Sequence, residues 1–122
     1  MRLLRLAAVI FALSMMFGEA YRTWGTGRPV YAWLDDQILG LFLILGAWLM
    51  SKPTRARFAI FAAGWGFSAG MIYPSFFTKL YDPASSNPGN FDLGVLTLLI
   101  GMAFVVTLLG LVVTIRLAAK DA

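Results

Sequence analysis

Very few side chains in this sequence could do chemistry, because it has no histidine and no cysteine. That removes imidazole bases, thiolate nucleophiles, disulfides, zinc sites of the usual kind and the common axial ligands of haem. What is left is carboxylates. Glu19 stands three residues before Arg22, and Asp35 lies beside Asp36. On a helix, Glu19 shares a face with Ala8, Ala12 and Met15, and Asp36 shares one with Gly40, Leu43 and Ala47. Faces of small residues turn inward in a bundle, so both carboxylates are expected to look into it.

Two kinds of chemistry fit that placement. In one, Glu19 and Arg22 form an ion pair one helical turn apart, while Asp35 and Asp36 cap free N–H groups at a helix start. In the other, Glu19, Arg22, Asp35 and Asp36 line a ligand-binding acidic vestibule for a cation, a proton or a polar headgroup. Nothing continues such a vestibule inward. Residues 58–78 and 93–115 hold no Asp, Glu, Lys or Arg, and Ser14, Ser68, Thr97 and Thr107 are too scattered to relay a proton.

Trp65 is the remaining candidate, flanked by Gly64 and Gly66. It is expected either to fill an interhelical gap with its N–H bonded to a neighbour, or to offer a flat surface to a lipid-soluble ring ligand. The glycine pairs 64/66 and 25/27 lack the strand and helix that a nucleotide loop needs, and Met15-Met16 points to two different helix faces. No catalytic set, cofactor or metal is expected, and the chain does not read as an enzyme.

The elements that position these residues follow from where charge is missing. Four windows, 6–18, 37–51, 58–78 and 93–115, carry no charge and hold 13, 15, 21 and 23 residues. About 20 apolar residues cross a bilayer core. The last two windows qualify outright, and the first two once flanking Arg and Asp reach toward headgroups. With 60% hydrophobic and only 13% charged residues, against the ~25% charged of soluble domains, the chain reads as an integral membrane protein. Its fold class is all-α: one four-helix transmembrane bundle over residues 1–122, up-down-up-down, with helices near 3–21, 31–51, 57–77 and 93–116.

Seven of the ten basic residues fall at the two ends and in the second gap, while five of the six acids, Glu19, Asp35, Asp36, Asp82 and Asp92, fall in or beside the first and third gaps. Basic loops stay inside, so both termini are expected in the cytoplasm. Residues 1–20 also resemble a cleavable signal peptide, but cleavage would leave three spans and an outside N-terminus, so a retained first helix is expected. Short loops, Cys-free spans and an unprocessed N-terminus point to a bacterial inner membrane. The lipid bilayer is then the first partner, and no run of Lys and Arg suits nucleic acid.

Connections set the neighbours. Residues 52–57 include Pro53 and join two antiparallel helices, with Thr54 placed to cap the third. Aromatic residues should sink the 22–34 gap into the interface, whereas 79–92 reads as an exposed loop. Pro74 should kink or end the third helix. On that helix Ala62, Gly66 and Gly70 form a double small-xxx-small run, which either packs inside the bundle or serves as a helix-docking interface. The functional expectation is an accessory or structural subunit that packs against a larger membrane complex, or self-associates, through the third helix. The alternative is a small carrier or binding protein for a lipophilic or cationic ligand.

Overall fold

The computed structural model describes residues 2–25, 27, 34–85 and 91–121, the side chains of Asp35, Ser85 and Asp121 excepted. Four helices make up nearly all of it: α1 (Arg2–Thr23), α2 (Leu34–Leu49), α3 (Arg55–Tyr81) and α4 (Leu93–Asp121). No strand occurs among the described residues, so the fold is all-α as expected. The expected placement of 22–34 falls largely on residues outside the described set, as does the turn at 86–90.

Local chemistry explains most helix ends. The Thr54 hydroxyl accepts a hydrogen bond from the Arg57 N–H at 3.2 Å, so α3 starts at the cap that its spacing from Pro53 predicts. Asp92 does the same for α4, accepting from the Val95 N–H at 3.2 Å. After α1 the backbone turns through Gly25, whose φ of 73° lies in the left-handed region that ends many helices. The last turn of α2 carries no basic residue of its own. Neighbouring helices serve it instead: Arg5 Nε donates to the Ala47 carbonyl at 2.7 Å and Arg57 Nη1 to the Leu49 carbonyl at 3.1 Å.

α3 corrects the expectation that it stops near residue 77. It runs through Pro74 and ends at Tyr81, where the Asp82 N–H donates to the Thr78 carbonyl at 2.8 Å. Pro74 leaves the Gly70 carbonyl without its helical donor. Beyond it, Phe76 and Phe77 pack on Phe104 of α4, with centroids 6.3 and 6.1 Å apart. Tertiary contact carries the helix past the lost bond.

Sequential helices are neighbours: α1 packs on α2, α2 on α3 and α3 on α4, whereas α1 and α4 barely touch. The bundle is therefore open along its α1–α4 side. One apolar core joins Ala8, Phe11 and Ala12 to Leu39, Leu43 and Ala47, to Phe58, Phe61, Trp65 and Ile72, and to Ala103. The faces of α1 and α2 expected to turn inward do so.

On α3 the expected internal packing of Ala62, Gly66 and Gly70 does not occur. The stripe Phe58, Phe61, Trp65, Ser68 and Ile72 is buried instead, and a side chain built at Gly66 or Gly70 would meet nothing within 4 Å. Burying large rings removes far more apolar area than burying alanine and glycine. The close seams use glycines on the partner helices. A Cβ at Gly46 of α2 would lie 3.3 Å from the Phe61 backbone, and one at Gly110 of α4 would fall among the ring atoms of Trp65.

Among the described residues, Arg2–Thr23 and Leu93–Lys120 are long and apolar enough to cross a bilayer, and Asp36–Leu49 is a shorter apolar helix. The pair expected to qualify outright was 58–78 with 93–115. α3 has the length, but Gly, Ser, Trp, Tyr and Pro dilute its apolar content.

Candidate functional site

The polar residues that matter gather at one end of the bundle, called here the acidic end. The last turns of α1 bring Arg22 Nη1 to 3.3 Å from Glu19 Oε2, and the two side chains are only 11% and 5% exposed. Asp36 from α2 and Ser75 from α3 line the same small pocket, about 30 Å³, with Glu19, Arg22 and apolar Met71, Ile72 and Ile100. Gln37 Nε2 donates to the Met16 carbonyl at 3.1 Å and pins the start of α2 to α1. Glu19, Arg22 and Asp36 are thus brought together as expected. The side chain of Asp35 lies outside the described residues.

Lys79 is a member of this end that the residue spacing did not single out. It is buried, and its ammonium donates to Ser75 Oγ at 2.8 Å and to the Ser75 carbonyl at 3.3 Å. The available signal was the four-residue step from Ser75 to Lys79. It was hidden by the expectation that α3 stops before Lys79.

From the acidic end a cleft of about 300 Å³ runs between α1 and α4. Phe11 and Met15 form one wall, and Leu99, Met102, Ala103 and Val106 form the other. Glu19, Arg22 and Asp36 stand at its polar end, together with Phe91, whose ring meets Tyr21 edge-on at 5.0 Å. The cleft exists because α1 and α4 hardly meet, and because Gly18 in its wall has open space where a Cβ would stand. Its volume lies at the low end of the ~300–1,000 Å³ of small-molecule pockets.

Such a site can hold charge in apolar surroundings, where an ion pair or a bound ion is weakly screened. Proton relay finds no support. Ser14, Ser68 and Thr97 each donate to the carbonyl four residues back, and Thr107 to the one three back, at 2.7–2.8 Å. No trio of Asp, Glu, His or Cys side chains gathers in metal-binding fashion among the described residues.

Trp65 meets the gap-filling expectation except for its hydrogen bond, and departs from the ring-ligand one. Its indole is 1% exposed and fills a gap against Gly110, with the rings of Phe11 and Phe61 at 6.0 and 5.8 Å. Of its two flanking glycines, Gly64 is closed, since a Cβ there would press on Phe42 and Leu43, whereas Gly66 faces open space. No free indole face is left for a ring ligand. The expected hydrogen bond is also missing, since Trp65 Nε1 has no acceptor among the described residues.

The outward face of α3 is the other candidate. Ala59, Ala63, Gly70 and Tyr73 are exposed, and Ala62 and Gly66 half-buried. At the opposite, basic end, Ala59 and Ala62 leave a recess of about 440 Å³ between α3 and α4, closed by Phe58, Thr114 and Ala118. Comparison of the chain with family models, with curated proteins and with solved structures finds no match.

Proposed function

We propose that the chain is an integral membrane protein of the bacterial inner membrane, with both termini in the cytoplasm, and an accessory subunit that docks on a larger membrane assembly. Membrane residence is supported by α4, which turns Val95, Leu98, Val105, Leu109, Val112 and Ile115 outward, each at least half exposed apart from Val112 at 49%. In water such a surface would be an association liability; in lipid it is solvated. The basic excess at the termini and in 52–57 supports the orientation.

The observation that carries the docking reading is the open small-residue face of α3. In lipid no hydrophobic drive joins helices, so close backbone approach through small residues does that work. Here the bundle's own seams use other glycines, and Gly66 and Gly70 remain uncovered. A partner helix could approach that face closely, with exposed Tyr73 at its edge.

Gly66→Leu tests this directly. The position has open space, so the bundle should keep its fold while the docking face is blocked. In a pull-down from native membranes after gentle detergent extraction, co-purifying subunits should be lost with Gly66→Leu and retained with Ile60→Leu. Equal recovery with both variants removes the face from the function. Loss of a second copy of the chain, rather than of another subunit, would make the partner a homodimer.

A further inference from the structure

We infer that the recess between the start of α3 and the end of α4 is a binding site for one anionic phospholipid, with its phosphate on Arg55 and Thr54 and the start of an acyl chain on the apolar floor behind them. The inference rests on the proposed membrane residence but not on docking at α3: Ala62 lines the recess, whereas Gly66 and Gly70 lie outside its lining.

Three features select this occupant. The first is charge. Arg55 is the one charged residue of the lining, and it is exposed and makes no ion pair among the described residues. The end of the bundle around it holds seven Lys and Arg against Asp121 alone. Arg5 and Arg57 close the end of α2, which still leaves Arg2, Lys52, Arg55, Arg116 and Lys120, all exposed. The second is a donor beside the cation. The Thr54 oxygen accepts from the Arg57 N–H, so its own hydrogen is left to donate to a phosphate that a guanidinium meets with paired N–H groups. The third is the floor. Phe58, Ala59, Ala62, Ile115 and Ala118 are apolar, and Thr114 spends its hydroxyl on the Gly110 carbonyl at 2.7 Å. A free phosphate gains nothing from such a floor, whereas an acyl chain does. Small side chains at Ala59, Ala62 and Ala118 keep the gap open, and about 440 Å³ admits a headgroup and the beginning of one chain. The helix ends set the recess at headgroup depth in the proposed membrane, where basic pockets between helices take anionic headgroups.

The test uses the full chain in dodecyl maltoside, titrated with phosphatidylglycerol and read by native mass spectrometry, with phosphatidylcholine as the reference lipid. The first phosphatidylglycerol should bind at least about fivefold more tightly than the first phosphatidylcholine, the effect of one basic residue at an anionic headgroup. Arg55→Gln should remove that preference. Ala59→Leu fills the recess, leaves every charge in place and should weaken the first lipid by a similar factor. Lys52→Gln removes a cation outside the lining and should change little. Arg55 and Ala59 are both exposed, so the bundle should keep its fold in either variant. Equal losses with Arg55→Gln and Lys52→Gln, or undiminished binding to Ala59→Leu, would mean diffuse surface attraction and overturn the inference. Glycerol 1-phosphate binding as tightly as the lipid would overturn it as well, since the floor would then contribute nothing. Flotation with liposomes keeps the two readings apart. A chain that does not float loses membrane residence and the site together, whereas one that floats without a first-lipid preference loses the site alone.

Discussion

At the scale of single residues, the decisive group is the Glu19–Arg22 pair. From spacing alone it reads as a boundary ion pair, and an exposed pair of that kind is worth ~0.5 kcal/mol. Burial changes the expectation. With side chains 5% and 11% exposed, removing one charge strands the other in apolar surroundings, which typically costs about 3–5 kcal/mol. Glu19→Gln is therefore expected to destabilise the bundle by about 3 kcal/mol, whereas Glu19→Gln with Arg22→Met should recover most of the loss. Denaturant unfolding in micelles measures both. A single variant within about 0.5 kcal/mol of the parent would mean that the pair is solvated after all.

At the scale of elements, the question is why α3 buries one face and not the other. Two stripes compete on it, one of rings and one of small residues, and packing rules for lipid favour either. The choice is made elsewhere, by glycines on the partners: Gly46 lets Phe61 come in, and Gly110 lets Trp65 lie against α4. Gly110→Ala should accordingly cost about 1–3 kcal/mol, since the added methyl meets ring atoms that core packing holds in place. Gly66→Ala should stabilise slightly, because alanine is the better helix former by ~1 kcal/mol and nothing obstructs it. Thermal unfolding of the two variants should move in opposite directions, and movement together would mean that the seam is not at Gly110. This asymmetry marks the limit of legibility. The inward faces of α1 and α2 were readable because their small and apolar residues coincide, and the Thr54 cap because it is local. The orientation of α3, the passage through Pro74 and the burial of Lys79 were not, because each is set by a contact with another helix.

At the scale of the whole molecule, the charge asymmetry has two physical origins that must be separated before it is read as orientation. Arg5 and Arg57 have a structural task, closing the carbonyl end of α2. Arg22 and Lys79 have one as well, in the buried polar cluster of the acidic end. Setting these aside leaves Arg2, Lys52, Arg55, Arg116 and Lys120 at the basic end, all exposed, and only Arg28 in the gaps at the other. The residual bias is steeper than the raw count, and basic loops are retained on the cytoplasmic side. A cysteine introduced at Ser51 should therefore react with an impermeant thiol reagent only after the cytoplasmic face is opened, and one at Asn87 in intact cells. Because the chain has no cysteine of its own, each label reports one position. Labelling of both from the same side would break the four-span arrangement, and with it the placing of the cleft's polar end at the outer surface. Reversed sidedness would keep the bundle and turn that end toward the cytoplasm, so that the exposed basic residues no longer account for the orientation.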